Sequence, residues 1–153
     1  MADTYCQIYI HIVFAVRGRE NIIREEIREE LQKYIGGIIR NEKQKLYAIY
    51  SMPDHTHILI SIGSEIKISE LVRDIKANSS RFINEKKWIK GKFYWQEGYG
   101  AFSYSHSQTD SVVNYIVNQP EHHKKRSFRE EYLDLLKKFE IDYQEQYLFE
   151  FLE

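Results

Sequence analysis

The chain has 153 residues, of which 42% are hydrophobic and 29% are charged. These values are typical of one globular domain with a buried core, so we expect a single domain over residues 1–153. Lysine and arginine together number 22 against 23 acidic residues, a formal net charge of -1. This balance excludes a strongly basic nucleic-acid-binding domain and leaves only local basic patches for such a role.

Cys6 is the only cysteine. One thiol can form neither an internal disulfide nor a cysteine-rich zinc site, which favours a reducing cytoplasm. The N-terminal sequence lacks the basic start and small-residue cleavage site of a signal peptide. No apolar run approaches the roughly 20 residues that span a bilayer. We therefore expect a cytoplasmic protein without a membrane segment.

The first part of the chain predicts a strand, a helix and a hairpin. Residues 5–16 are rich in Ile, Val, Tyr and Phe, which predicts a strand. Residues 24–41 repeat apolar side chains at helical spacing, which predicts an amphipathic helix. Two short strands, over residues 46–51 and 56–62, flank the turn-forming Met52-Pro53-Asp54, so a hairpin is expected.

A second helix and a fourth strand are predicted next. Ser69 is the expected N-cap of a helix that ends near Glu85. A loop rich in lysine and aromatic residues follows, and residues 101–105 predict a short strand.

The last part of the chain predicts two more helices. Thr109 or Asp110 is expected to cap a third helix that Pro120 ends. An amphipathic helix is expected over residues 128–139, and the tail from residue 141 gives no clear prediction. The order of elements predicts an α+β domain in which helices cover an antiparallel β-sheet.

The sequence His55-Thr56-His57 lies beside the second predicted hairpin strand. Residues two apart on a strand point to the same side, so two imidazoles there can bind one cation. The alternative is a pair of ordinary hairpin histidines, one solvated and one stacked on a tyrosine. The motif alone favours that alternative.

Tyr115 and Gln119 are four residues apart in the predicted third helix. This spacing places both side chains on one side of the helix, about one turn apart. If Gln119 completed a metal site with the two histidines, the Tyr115 hydroxyl would lie beside a metal-bound phosphate. The alternative makes Tyr115 a half-buried core residue and Gln119 a surface residue.

The segment WQEGYGAFSYS and the lysines before it form a candidate nucleic-acid contact. Aromatic rings such as Trp95 and Tyr99 can stack on bases while lysines contact phosphates. A surface loop with solvated lysines is the alternative. The lysines are Lys86, Lys87, Lys90 and Lys92.

Three segments, MPDHTHILI, WQEGYGAFSYS and VVNYIVNQPEHHKKRSF, occur in this order on a short chain. Together they resemble the single-tyrosine HUH transposases, the small enzymes of bacterial insertion sequences that move as single-stranded DNA, and their domesticated palindrome-associated relatives. The resemblance covers residues 5–139, and its motifs are specific jointly rather than singly. It implies a ferredoxin-like or RRM-like HUH-endonuclease domain.

The resemblance also implies a role for each residue of the motifs. His55 and His57 are expected to bind a divalent cation, Mg²⁺ or Mn²⁺, with Gln119 as the third protein ligand. Tyr115 is the implied nucleophile, which attacks a phosphodiester and forms a 5′-phosphotyrosine. The implied partners are single-stranded DNA with a hairpin and a second copy of the chain in a homodimer.

The residues that follow the nucleophile are basic. Lys124, Lys125 and Arg126 can bind flanking phosphates, or they form a cationic helix end that the helix dipole favours. Two features depart from the family pattern: Thr56 stands where a bulky hydrophobic residue is usual, and Pro120 directly follows Gln119.

Three other interpretations compete with a mobile transposase. A domesticated nickase of repeated palindromes would use the same residues. A non-catalytic module on an RNA-recognition-like sheet would need aromatic motifs that the first strand lacks. A structural zinc domain would need four ligands, drawn here from His55, His57, Cys6 and one of His122 or His123.

Overall fold

The computed structural model describes residues 2–18 and 22–151. Its centre is a four-stranded antiparallel sheet with the strand order β2-β3-β1-β4. This order, with one helix after β1 and another after β3, is that of a ferredoxin-like domain. The predicted α+β class is therefore confirmed. The strands are β1 (Tyr9–Ala15), β2 (Lys45–Ser51), β3 (His55–Ser61) and β4 (Gly100–Tyr104).

One face of the sheet, here called the helix face, packs against α1 (Glu25–Asn41) and α2 (Ile68–Lys86). Side chains alternate along a strand, so the even-numbered residues of β1 and β3 point to this face. They form a continuous apolar core with the buried side of the two helices. Members of this core are Ile10, Ile12, Phe14, Ile58, Ile60, Ile27, Leu31, Ile35, Leu71 and Ile75.

The opposite face, here called the site face, is covered by α3 (Thr109–Val117), α4 (Gln119–His122) and α5 (Phe128–Lys138). Helix α3 buries Val112 and Ile116 against Tyr9 and Leu59. Helix α5 packs its apolar side on Val13, Ala15 and Phe102 of the sheet. This second cluster contains Phe128, Tyr132, Leu135, Leu136 and the tail residue Phe149.

Several predicted boundaries are wrong by a few residues. β1 begins at Tyr9 rather than at residue 5, and β3 begins at His55. Helix α2 begins before Ser69, with Lys67 as a cap residue whose side chain makes no capping hydrogen bond. The third helix begins at Thr109, so neither Thr109 nor Asp110 is its cap.

Pro120 does not end α3 as predicted. The helix has already ended at Val117, and Pro120 lies in the first turn of α4. A proline is tolerated there because the backbone N–H of a first-turn residue has no intrahelical acceptor. The tail forms a 3-10 turn over Glu145–Tyr147, and its last two residues lie outside the described part.

No helix among the described residues is long and apolar enough to span a membrane.

Candidate active site

His55 and His57 lie on β3, an interior strand of the sheet, and both side chains point to the site face. Both are fully buried, because β1 and β2 flank the strand and α5 covers it. The His55 ring stacks on Phe128 of α5, with ring centroids 3.9 Å apart and an interplanar angle of 6°. The alternative of a solvated hairpin histidine is therefore wrong.

Tyr115 and Gln119 reach the same place from α3 and α4. The Gln119 side chain is fully buried, and its Oε1 atom lies 3.2 Å from His55 Nε2. Tyr115 is half-buried, and its ring lies edge-on to His57 at 6.0 Å between centroids. Although α3 ends before Gln119, the tyrosine and the glutamine both still lie beside the histidines.

Two further residues, His123 and Glu131, join this cluster. The sequence interpretation considered His123 only as an alternative ligand of a structural zinc site, and it missed Glu131. Glu131 of α5 is fully buried, with Oε1 2.9 Å from His57 Nε2 and 3.2 Å from His123 Nε2. A signal for Glu131 exists in the sequence. It occupies the i+3 position of an apolar stripe that begins at Phe128 and continues through Tyr132, where an acidic side chain is unexpected.

His55 and His123 each hold their Nδ1 atom in an outer hydrogen bond. His55 Nδ1 lies 2.7 Å from the Asp54 carboxylate, and His123 Nδ1 donates to the Arg126 carbonyl oxygen at 3.0 Å. A neutral imidazole that donates through Nδ1 leaves a lone pair on Nε2. Both Nε2 atoms point to Glu131 and Gln119, which is the arrangement found in metal-binding histidines.

His57 follows the same pattern with a different partner. Its Nδ1 atom lies 2.8 Å from Nε2 of His11, a fully buried histidine on β1. The two rings are stacked with centroids 5.0 Å apart. His57 Nε2 is thereby directed to Glu131.

The cluster has the donor set of a cation site. One ligand atom from each of His55, His57, His123 and Glu131 lies within 4.8 Å of the others, and Gln119 Oε1 is 2.9 Å from His123 Nε2. Three imidazole nitrogens, a carboxylate and an amide oxygen fit a divalent transition-metal ion.

The buried carboxylate is ionised. Burial alone would raise the pKa of Glu131, but His57 and the hydrogen bonds from His123 and His55 hold that pKa well below its usual range. Burial lowers the pKa of His55, and the hydrogen bonds to Asp54 and Glu131 outweigh it, raising that pKa to about 9. For His57 burial dominates and lowers the pKa. The cluster thus pairs an ionised Glu131 with a protonated His55, so a cation that binds through His55 Nε2 displaces a proton.

Tyr115 keeps its proton in this environment. Burial and the Glu131 charge raise the pKa of the Tyr115 phenol, and its hydroxyl donates a hydrogen bond to Glu131 Oε2. Arg126 approaches from the other side, with Nη2 3.4 Å from the Tyr115 oxygen. The His122 ring lies against the phenol at 4.7 Å between centroids.

A cleft of about 740 Å³ opens directly on Tyr115 and Glu131. It gives the hydroxyl access to a molecule bound at the surface, and its rim is partly basic. The lining residues include Tyr104, Gln108, Arg126, Asp134, Lys137 and Lys138.

The lysines predicted to contact DNA lie elsewhere. All four are exposed and lie at or after the end of α2, which packs on the helix face. Lys86 lies 3.5 Å from Glu30 of α1. The four are Lys86, Lys87, Lys90 and Lys92. Lys124 and Lys125, by contrast, are exposed between α4 and α5, near the cleft residue Arg126.

Trp95 is part of the core and not a stacking platform for bases. Its side chain is 8% exposed, and its indole N–H donates to Ser79 Oγ at 2.9 Å. The ring packs edge-on against Phe14, with centroids 4.7 Å apart. The predicted base contact of Trp95 is therefore wrong, because too little of the ring is exposed for a base to stack on it. Tyr99 is half-buried, and Tyr94 is 42% exposed.

One curated transposase is similar to this chain in sequence. The TnpA transposase of the insertion sequence ISDra2 from Deinococcus radiodurans is 24% identical over 120 residues, which is 74% of this chain and 84% of the relative.

Two solved structures share the fold. A 1.90 Å crystal structure from Deinococcus radiodurans R1, assigned to the transposases, has a TM-score of 0.61 and 21% identity, covering 78% of this chain and 95% of the other. A REP-associated tyrosine transposase bound to a REP hairpin has a TM-score of 0.60 and 18% identity, covering 80% and 73%. The family model described as "Transposase IS200 like" matches residues 4–119. The chain therefore belongs to the IS200-like transposase family.

Proposed function

We propose that this protein cleaves and rejoins hairpin-bearing single-stranded DNA through a 5′-phosphotyrosine on Tyr115, with a divalent cation held by His55, His57 and Gln119. The observation that carries the proposal is that the Tyr115 ring lies edge-on to His57 at the edge of a cleft. His55 and Gln119 contact each other in the same cluster. Membership of a transposase family supports it. The hairpin substrate is supported by the hairpin-bound relative of the same fold.

The chemistry of Tyr115 follows from its surroundings. Its oxygen forms a bond to phosphorus while the bond from phosphorus to the 3′ oxygen breaks. The phenol proton is released and the leaving 3′ oxygen takes up a proton, so the proton count does not change. Arg126, which donates to the phenol oxygen, is placed to stabilise negative charge there. Attack by another 3′-hydroxyl on the phosphotyrosine reverses the step and joins new ends.

A bound cation would act as a Lewis acid that polarises the scissile phosphate. Of the two ions that the sequence predicts, the donor set favours Mn²⁺, because Mg²⁺ prefers oxygen ligands whereas nitrogen donors suit transition metals. The half-buried Asp54 and the fully buried His11 are the outer partners that orient the histidines for either ion.

We place the strand to be cut in the cleft beside Tyr115. Its phosphates would meet Arg126, Lys137 and Lys138 there, with Lys124 and Lys125 close by in sequence. The predicted contacts at Lys86, Lys87, Lys90, Lys92 and Tyr99 would then be reached only by DNA that extends beyond the cleft.

We also propose a homodimer, as the family resemblance implies. Tyr115 donates to Glu131 of its own chain, which favours attack within one subunit. Sedimentation velocity tests the dimer.

The test of the proposed function is covalent capture. A single-stranded oligonucleotide with a hairpin, incubated with the protein and Mn²⁺, should give a protein–DNA adduct on a denaturing gel. Tyr115→Phe should bind the DNA and form no adduct. Tyr104→Phe, which lines the same cleft, is the matched control and should keep the adduct. An adduct that persists in Tyr115→Phe contradicts the nucleophile.

A structural zinc site is the second candidate, because three histidines and one carboxylate equal the four ligands of a closed site. The predicted ligand Cys6 is not among them, since it is exposed with Sγ 3.9 Å from the Ile62 carbonyl oxygen. In that case a chelator would unfold the protein and no adduct would form.

A further inference from the structure

The active-site cluster includes residues that lie beyond the part of the chain matched by the family model. The match stops at residue 119, but His123 and Glu131 follow that point and contribute donor atoms to the cluster. Both side chains point to the centre of the site rather than to solvent. The segment after Gln119 therefore adds groups that the family comparison does not account for.

The two oxygens of Glu131 have different partners. Oε1 faces the histidines, 2.9 Å from His57 Nε2 and 3.2 Å from His123 Nε2. Oε2 accepts hydrogen bonds from the Tyr115 hydroxyl and from Gln119 Nε2, the latter at 2.9 Å. A single carboxylate thus joins the cation donors to the nucleophile.

Helix α5 holds Glu131 firmly in place. Glu131 is flanked on the same side of the helix by Phe128, Tyr132 and Leu135, which form a core cluster with the sheet. A capping box at Ser127 fixes the start of the helix. A carboxylate anchored in this way is a fixed part of the site. A side chain that leaves the site to admit DNA would need a weakly packed helix.

We propose that Glu131 and His123 are ligands of the active-site cation, and that Glu131 also positions Tyr115 through its second oxygen. The proposal rests on the proposed function only for the role of Tyr115. The ligand role stands on the donor geometry alone. It extends the cation site from three protein ligands to five candidate donors, of which two come from the chain after residue 119.

Glu131→Gln tests both parts, because it keeps the size and removes the charge. Glu130→Gln, an exposed neighbour on the same helix, is the matched control. Calorimetric titration of the metal-free 153-residue chain with Mn²⁺ should show an affinity about tenfold or more lower for Glu131→Gln and unchanged for Glu130→Gln. At saturating Mn²⁺, adduct formation should still be about tenfold or more slower in Glu131→Gln, because an amide replaces the carboxylate that orients the Tyr115 hydroxyl.

An unchanged Mn²⁺ affinity in Glu131→Gln overturns the ligand role. Unchanged or faster adduct formation by that variant at saturating Mn²⁺ overturns the role of Glu131 in positioning Tyr115. If Glu131→Gln does not fold, His123→Asn carries the ligand test, with the same expected loss of affinity and the same contradicting result. Failure of the proposed function is distinct: the wild type would form no adduct, while the affinities would still decide the ligands.

Discussion

The two faces of one sheet do different work in this protein. His57 and Ile58 are neighbours on β3 and point to opposite faces. Ile58 enters an apolar core under α1 and α2, whereas His57 enters a polar cluster under α3 and α5. The same strands therefore supply stability on one face and chemistry on the other.

The site face retains polar groups at a cost. Buried polar side chains destabilise a fold unless hydrogen bonds satisfy them, and a buried charge needs partners. His11, His55, His57, Gln119 and Glu131 are all fully buried and contact one another. Replacing such buried ionic groups by apolar residues of the same volume is often neutral or stabilising, so the polar cluster on this face supports the proposed binding and reaction.

Alanine substitutions of His57 and Ile58 should give the largest contrast in activity and in stability. His57→Ala should lower adduct formation by about a hundredfold or more, because a donor is removed from the cation site. Ile58→Ala should lower the free energy of unfolding by about 2–5 kcal/mol through lost core packing, with normal adduct formation per folded molecule. Quantitative adduct gels and urea denaturation measure the two effects. Equal loss of activity per folded molecule in both variants would remove the distinction between the faces.

The aromatic pair Trp95 and Tyr94 sharpens the contrast between core and surface. Trp95→Ala should lower the free energy of unfolding by about 3–5 kcal/mol, because its ring is buried against Phe14. Tyr94→Ala, at an exposed position, should change stability little. Chemical denaturation of both variants measures this. A stable Trp95→Ala protein with weakened DNA binding would restore the tryptophan as a base contact.

Mn²⁺ binding should raise the free energy of unfolding, and this increment should depend on residues of the site face and not on those of the helix face. A ligand at a hundred times its dissociation constant adds about 2.7 kcal/mol to the free energy of unfolding. Mn²⁺ should therefore raise the Tm of the wild type and of Ile58→Ala by similar increments. Differential scanning calorimetry should find no such increment in His57→Ala, and a full increment there would place the ion elsewhere.

The smallest expected contrast is in the salt dependence of DNA binding, between a basic residue of the cleft and one that follows α2. It should be seen only with a short oligonucleotide. With an oligonucleotide of about eight nucleotides, Lys138→Ala should reduce the slope of log affinity against log salt by about 0.7. Lys138 lines the cleft, whereas Lys90 follows α2, so Lys90→Ala should leave that slope unchanged. Fluorescence anisotropy over a salt series is the measurement. An effect of Lys90 on the short strand would move the DNA path to the other side.

The sequence predicted the architecture because its signals are local. Apolar periodicity defined α1 and α5, and the turn at Met52-Pro53-Asp54 defined the β2–β3 hairpin. The predicted helix start was wrong where the N-cap was inferred from residue type alone. Ser69 has a capping side chain, but the helix begins one residue before it and leaves that side chain inside the first turn.

The site was only partly accessible from sequence. His55, His57, Tyr115 and Gln119 could be grouped through the family resemblance, and the structure brings these four together. Glu131 could not, because its approach depends on how α5 packs across the sheet. His123 entered the sequence analysis only as an alternative ligand of a structural zinc site. Trp95 failed for a related reason: aromatic residues beside lysines look exposed in sequence, and only the packing of α2 reveals that this ring is buried.

The most direct test of the account is to locate the covalent bond. Wild-type protein is incubated with a hairpin-bearing single strand and Mn²⁺, digested, and analysed by tandem mass spectrometry. The account predicts a nucleotide linked through its 5′-phosphate to Tyr115, together with a released fragment that ends in a 3′-hydroxyl. Strand cleavage without any protein-linked nucleotide, or a linkage on another residue such as Tyr104, would contradict it.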